Sequence, residues 1–117
     1  MGSAAMDVFG DIAVGYSVSG HRIFPSIRYA SRSPYDPPGT LSDERSMVVG
    51  RGSQTNATSR WGDYSDLTVD PSDDCTFWYT QEYYTVTSDA SWATRIGSFK
   101  FPRCGTTPTT WLPIIVK

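Results

Sequence analysis

A chain of 117 residues with a net charge of −2 is sized for one domain with a modest core. It also lacks the basic footprint of a nucleic-acid binder. Helix formers are scarce (three Leu, two Glu, two Lys, two Gln), whereas Ser and Thr total 28, Gly and Pro 18, and aromatic residues 16. That balance excludes a helical bundle, favours strands punctuated by turns, and holds no apolar run near the roughly 18 residues of a membrane span.

The opening MGSAAM has neither the basic nor the apolar segment of a secretory signal. It reads as a cloning scar or truncation point, so residues 1–6 are set apart from an all-β domain over 7–117. Within that domain the segment Asp7-Val8-Phe9-Gly10-Asp11-Ile12-Ala13-Val14-Gly15-Tyr16-Ser17 matches Asp70-Pro71-Ser72-Asp73-Asp74-Cys75-Thr76-Phe77-Trp78-Tyr79-Thr80 without gaps. Each copy opens on an Asp, turns, and enters an alternating strand, with Val14 and Tyr16 against Phe77 and Tyr79. Ile27–Ser31 then lines up with Thr94–Ser98, and Ser46–Val49 with Pro113–Val116. Leu67 and Val69 alternate into a further strand between the copies.

This pattern gives seven strands, three and then four, in two units at about 7–52 and 61–117. Four-stranded antiparallel units in tandem are the pattern of propeller blades, about two of them here. The period of roughly 65 residues is long for a blade, and the excess sits in the loop Tyr35–Arg45. A seven-stranded β-sandwich is the alternative. On the blade reading nothing supplies an innermost strand for the first unit, residues 1–6 being too short and too small. Asp11–Val18 would then border an open edge, inviting a homo-oligomer by ring completion or strand exchange.

Cys75 opens one strand and Cys104 closes its antiparallel neighbour, so the two are expected to form a disulfide; two buried free thiols are the alternative. A zinc site would want more ligands than these and the lone His21. Asp70, Asp73 and Asp74 are candidates for a calcium ion, against the plainer reading of an Asx turn at the strand entry.

The strings Arg60-Trp61-Gly62-Asp63-Tyr64-Ser65 and Val69-Asp70-Pro71-Ser72-Asp73-Asp74-Cys75-Thr76-Phe77-Trp78-Tyr79-Thr80, with Thr94–Phe99, resemble the last blades of large secreted bacterial β-propeller proteins of the sialidase-like, Asp-box group. The resemblance spans residues 7–104 and implies a parent protein that is extracellular or periplasmic. In such an arrangement Arg60, Trp61, Asp63 and Tyr64 would share a face with Gln81, Glu82, Tyr83, Tyr84, His21 and Arg22. Aromatic faces beside Arg and carboxylates suit a glycan ligand, with packing of the blade as the plainer role for Trp61 and Tyr64. A sialidase-like hydrolase would use Glu82 beside Tyr83 or Tyr84, and a two-carboxylate glycosidase Glu82 with Asp63 or Asp66. Adjacent strand residues face opposite ways, however, which argues against a Glu82–Tyr83 pair. The expectation is therefore a non-catalytic binding or structural fragment. Glycan hydrolysis and plain self-assembly are the alternatives.

Overall fold

The computed structural model describes residues 2–42, 44–58, 61–62 and 65–104, and residues 111–116 as backbone. It is all-β: two four-stranded antiparallel sheets, with no helix among the described residues. The first sheet runs in chain order through β1 (Gly2–Met6), β2 (Ile12–Gly20), β3 (Ile23–Arg32) and β4 (Arg45–Val48). The second does the same through β5 (Asp66–Val69), β6 (Thr76–Tyr84), β7 (Trp92–Lys100) and β8 (Trp111–Val116).

Two expectations need correction. Among the described residues the strands number eight, because residues 2–6 form β1, pairing Gly2 with Tyr16 through to Met6 with Ile12. The edge of Asp11–Val18 that was expected to stand open is therefore covered within the chain. Small side chains did not prevent pairing, since a ladder needs backbone groups before side chains. In addition, the turn between Met6 and Ile12 (residues 7–11) is two residues shorter than that between Val69 and Phe77 (residues 70–76). By register Ile12 thus matches Phe77 and Val14 matches Tyr79. A shift of two keeps each residue on its face, so the alternation read from the sequence survives.

The sheets stack in the same orientation. At one end Val8 N–H donates to Asp74 O (2.9 Å), joining the β1–β2 and β5–β6 turns. Further along, Leu67 N–H donates to Ser3 Oγ (3.0 Å), holding β5 beside β1. Between them β6 lies across β2 and β3. The core forms where Ala13, Ile27 and Tyr29 of the first sheet meet Leu67, Phe77 and Tyr79 of the second. Phe99 links the layers, stacked on Tyr29 (ring centroids 4.5 Å) and on Phe77 (5.3 Å). Such pairs contribute about 0.5–1.5 kcal/mol each beyond their area. Gly15 lets the layers close: a Cβ there would stand 2.3 Å from the Tyr79 ring.

Cys75 and Cys104 form the expected disulfide, with Cα atoms 5.6 Å apart just outside the paired ends of β6 and β7. The acidic turns behave as local caps. Asp70 Oδ1 accepts from Ser72 N (2.9 Å), and Asp73 Oδ1 accepts from Cys75 N and Thr76 N (2.9 Å each). The Ser72 amide foremost at Asp70, and the Thr76 hydroxyl foremost at Asp73 with the Cys75 and Thr76 amides after it, favour the charged form and hold both carboxyls below their ordinary range. Their oxygens are thus engaged as the Asx-turn reading expects.

In the matching first turn the Asp7 and Asp11 side chains are buried, while Val8 and Phe9 are exposed. Asp7 Oδ1 accepts from Phe9 N and Asp11 N (2.9 Å each), and fully buried Asp11 pairs with Arg103, which also lies over the Phe9 and Tyr35 rings. Burial pushes the Asp11 carboxyl up, the Asp7 charge adds to this, and Arg103 opposes both. A carboxyl raised in the fold favours the native state while protonated and loses that contribution as pH rises through its folded pKa. Arg103→Ala should therefore lower stability at pH 7 by about 2–3 kcal/mol. It should also leave the variant more stable, relative to wild type, at pH 5 than at pH 7. Chemical denaturation at both pH values measures this.

Candidate functional site

Of the residues singled out for binding, Trp61, Glu82 and Tyr84 gather at the end opposite the acidic turns. The connection after β4 returns across the end of the second sheet instead of leaving it. Arg51 N–H donates to Tyr84 O (2.8 Å), Ser88 N–H to Ser53 O (3.0 Å) and Thr55 N–H to Ser88 O (2.9 Å). Glycines make this approach feasible: a Cβ on Gly50 would lie 2.1 Å from Pro25 O, and one on Gly52 2.0 Å from the Val86 carbonyl carbon. The result is visible in β6, whose alternation of buried and half-buried residues ends in four consecutive buried positions, Gln81 to Tyr84. The returning segment covers the face that would otherwise meet solvent.

Trp61, Glu82 and Tyr84 are brought together here. The Trp61 and Tyr84 rings meet edge to face at 6.3 Å, with Trp61 half-buried and Tyr84 fully buried. Glu82 Oε2 accepts from Gly62 N (2.7 Å), and Glu82 N–H donates to Gln81 Oε1 (2.9 Å). Burial foremost, then the Glu82 and Asp89 charges, push the Tyr84 phenol up. Arg60, Asp63 and Tyr64, predicted to share this face, lie outside the described residues. His21 and Arg22 are exposed in the β2–β3 turn, and Asp66 is exposed at the start of β5.

The chemistry of this cluster is that of a packed junction. Glu82 has one oxygen on a backbone amide and little access to solvent, whereas a working acid or nucleophile must reach substrate. Tyr83, its neighbour, belongs to the core between the sheets. The two residues face opposite ways, as alternation requires.

A second feature was not singled out from the sequence. A cavity of about 610 Å³ opens between the sheets near this end, lined by Met47, Val48, Val49, Arg51, Tyr83, Thr85 and Arg95. Nearer the other end a cavity of about 370 Å³ is lined by Tyr29, Ser31, Ser42, Arg45, Phe99, Phe101 and Pro102. The sequence signal for the first was the Gly50-Arg51-Gly52 triplet, in which Gly50 meets Pro25 of β3 and Gly52 meets Val86 beyond β6. Comparison with protein-family models, with curated proteins and with solved structures finds no match to this chain.

Because Glu82 is tied to Gly62, Glu82→Ala should lower unfolding stability by about 1–3 kcal/mol through the orphaned amide. Glu82→Gln, which keeps an acceptor, should recover part of the loss. Thermal denaturation of the two variants side by side checks this. Equal loss from both would mean that the charge, and not the acceptor, matters at this junction.

Proposed function

We propose that the chain is a non-catalytic binding or structural module built of propeller-type units, with a glycan as its ligand. The observation that carries the non-catalytic part is the position of Glu82: buried, bonded to Gly62 N–H, and on the opposite face from Tyr83. Among the described residues, each carboxylate suited to hydrolysis is either held in a structural bond (Glu82) or exposed without a described partner (Asp66).

Stacking supports the propeller-type reading. A face of one sheet packs against the opposite face of the next, head to tail, as tandem units do. The strands nearest the common edge, β1 and β5, lie side by side. The disulfide is compatible with an extracellular or periplasmic parent.

Half-buried Trp61, held by Tyr84, supports a saccharide ligand because its ring offers a fixed face for sugar C–H groups. On a glycan array the protein should retain a saccharide without releasing product. Trp61→Ala should weaken that binding by at least about 1 kcal/mol, roughly fivefold. Leu41→Ala, exposed in the loop at the far end, should leave it unchanged. Release of reducing sugar abolished by Glu82→Gln would replace this reading with the hydrolase.

A second reading, self-association, is favoured by one observation. By register the outward face of the first sheet, with Met6, Ile12, Val14 and Tyr16, corresponds to the core face of the second, where Phe77 and Tyr79 are fully buried. Met6 there is 62% exposed. A second copy presenting the outer side of its second sheet would repeat the contact already made inside the chain. Light scattering should then give a mass above 12.9 kDa that rises with concentration. Met6→Glu, at an exposed position, should return it to the monomer.

A further inference from the structure

Arg28 and Arg95 occupy the same place in the two copies. Arg28 is paired with Tyr16 in the β2–β3 ladder, and Arg95 with Gln81 in the β6–β7 ladder. In the first copy the charge is answered: Arg28 Nη1 and the Tyr16 hydroxyl both bond to Glu44 (2.5 Å each), just before β4. That contact, with burial foremost, pushes the Tyr16 phenol up to about 12. The sequence ahead of β8, Gly105-Thr106-Thr107-Pro108-Thr109-Thr110, contains no acid to play the part of Glu44. Arg95 instead lies over the Tyr83 ring at 5.7 Å, and its Nε is buried with no hydrogen-bond partner.

Arg95 also does not stand alone. It lines the 610 Å³ cavity together with Arg51, which the flanking glycines and the bond from Arg51 N–H to Tyr84 O hold at that wall. Among the described residues no carboxylate pairs with either arginine or lines the cavity. A guanidinium that lines a cavity with no carboxylate partner is one that an incoming anion would pair. Two planar guanidinium groups are suited to a carboxylate or phosphate held by paired N–H bonds. The remaining wall is apolar, from Met47, Val48, Val49 and the Tyr83 ring.

We infer that the cavity between the sheets is a binding site for a small organic oxyanion, a carboxylate or phosphate on a body of about monosaccharide size, held by Arg51 and Arg95. The saccharide body rests on the glycan-binding reading above; the oxyanion contact does not. Trp61 belongs to a separate surface, so the two can fail independently.

The test uses the full chain, labelled with nitrogen-15, and four probes: glucuronate, glucose 6-phosphate, glucose and inorganic phosphate. Saturable shifts of the Arg51, Tyr83 and Arg95 amides with one or both sugar acids, but not with glucose, are expected. Glucuronate alone would identify a carboxylate as the preferred anion, and glucose 6-phosphate alone a phosphate. Arg51→Gln, at an exposed position that the fold tolerates, should weaken binding about tenfold; Arg95→Lys, which keeps the charge but not the fork, should weaken it also. Shifts confined to inorganic phosphate would mean an adventitious ion only and overturn the proposal. So would the absence of saturable shifts with every anion, or binding undiminished by Arg51→Gln. Shifts of the Trp61 indole with neutral glycans report the other surface, and their absence bears on that reading alone.

Discussion

The two sheets meet where the Tyr79 ring lies against the backbone of Gly15, and most of the architecture depends on that contact. Any side chain at position 15 would hold the layers apart, because its first carbon would already stand inside the ring. With the layers closed, Phe99 can stack on both Tyr29 and Phe77, and the aromatic core becomes continuous from one sheet to the other. Closure also aligns the ends. The bonds from Val8 to Asp74 and from Leu67 to Ser3 are reachable only if the sheets lie in the same sense at that spacing.

That alignment divides the carboxylates by role. Asp70 and Asp73 each give Oδ1 to amides of their own turn, while Asp70 Oδ2 accepts from Trp78 Nε1 and Asp73 Oδ2 from Thr76 Oγ1; Asp7 Oδ1 likewise accepts from amides of the first turn. Asp11 is buried against Arg103, which ties the first turn to the segment after β7. Glu44 answers Arg28 and Tyr16, and Glu82 fastens the returning linker at Gly62. Of the acidic residues singled out in the sequence, Asp70, Asp73 and Glu82 are thus engaged in structural bonds, whereas Asp66 is exposed without a described partner. Arg51 and Arg95, with no carboxylate partner among the described residues, line one cavity.

Much of the fold was legible because its signals are local. Period-two alternation marked β2, β5 and β6, the repeat match to β3 marked β7, and the matched Asp-led turns exposed the duplication. The disulfide followed from the two cysteines lying at paired strand ends. β1 was not legible: Gly2-Ser3-Ala4-Ala5-Met6 has no strand propensity, and only the free edge of β2 makes it a strand. The grouping of Trp61, Glu82 and Tyr84 could be read from topology, but their burial could not, since it comes from a linker folding back over β6. That return rests on Gly50 and Gly52 meeting backbone far away in sequence, a tertiary fact no local pattern encodes. Arg95 looked like a repeat-matched position. Only the register, set beside the missing counterpart of Glu44, marked it as unanswered.

Same-sense stacking of the two sheets underlies both the junction and the cavity, and the contact between Gly15 and Tyr79 reports it most directly. In solution, nuclear Overhauser effects should connect the Gly15 α-protons with the Tyr79 ring protons at short-range intensity, in a sample dilute enough to be monomeric. Their absence, with β2 and β6 each intact by their own ladder signals, would contradict the stacking, and with it the junction at Glu82 and the cavity between the sheets.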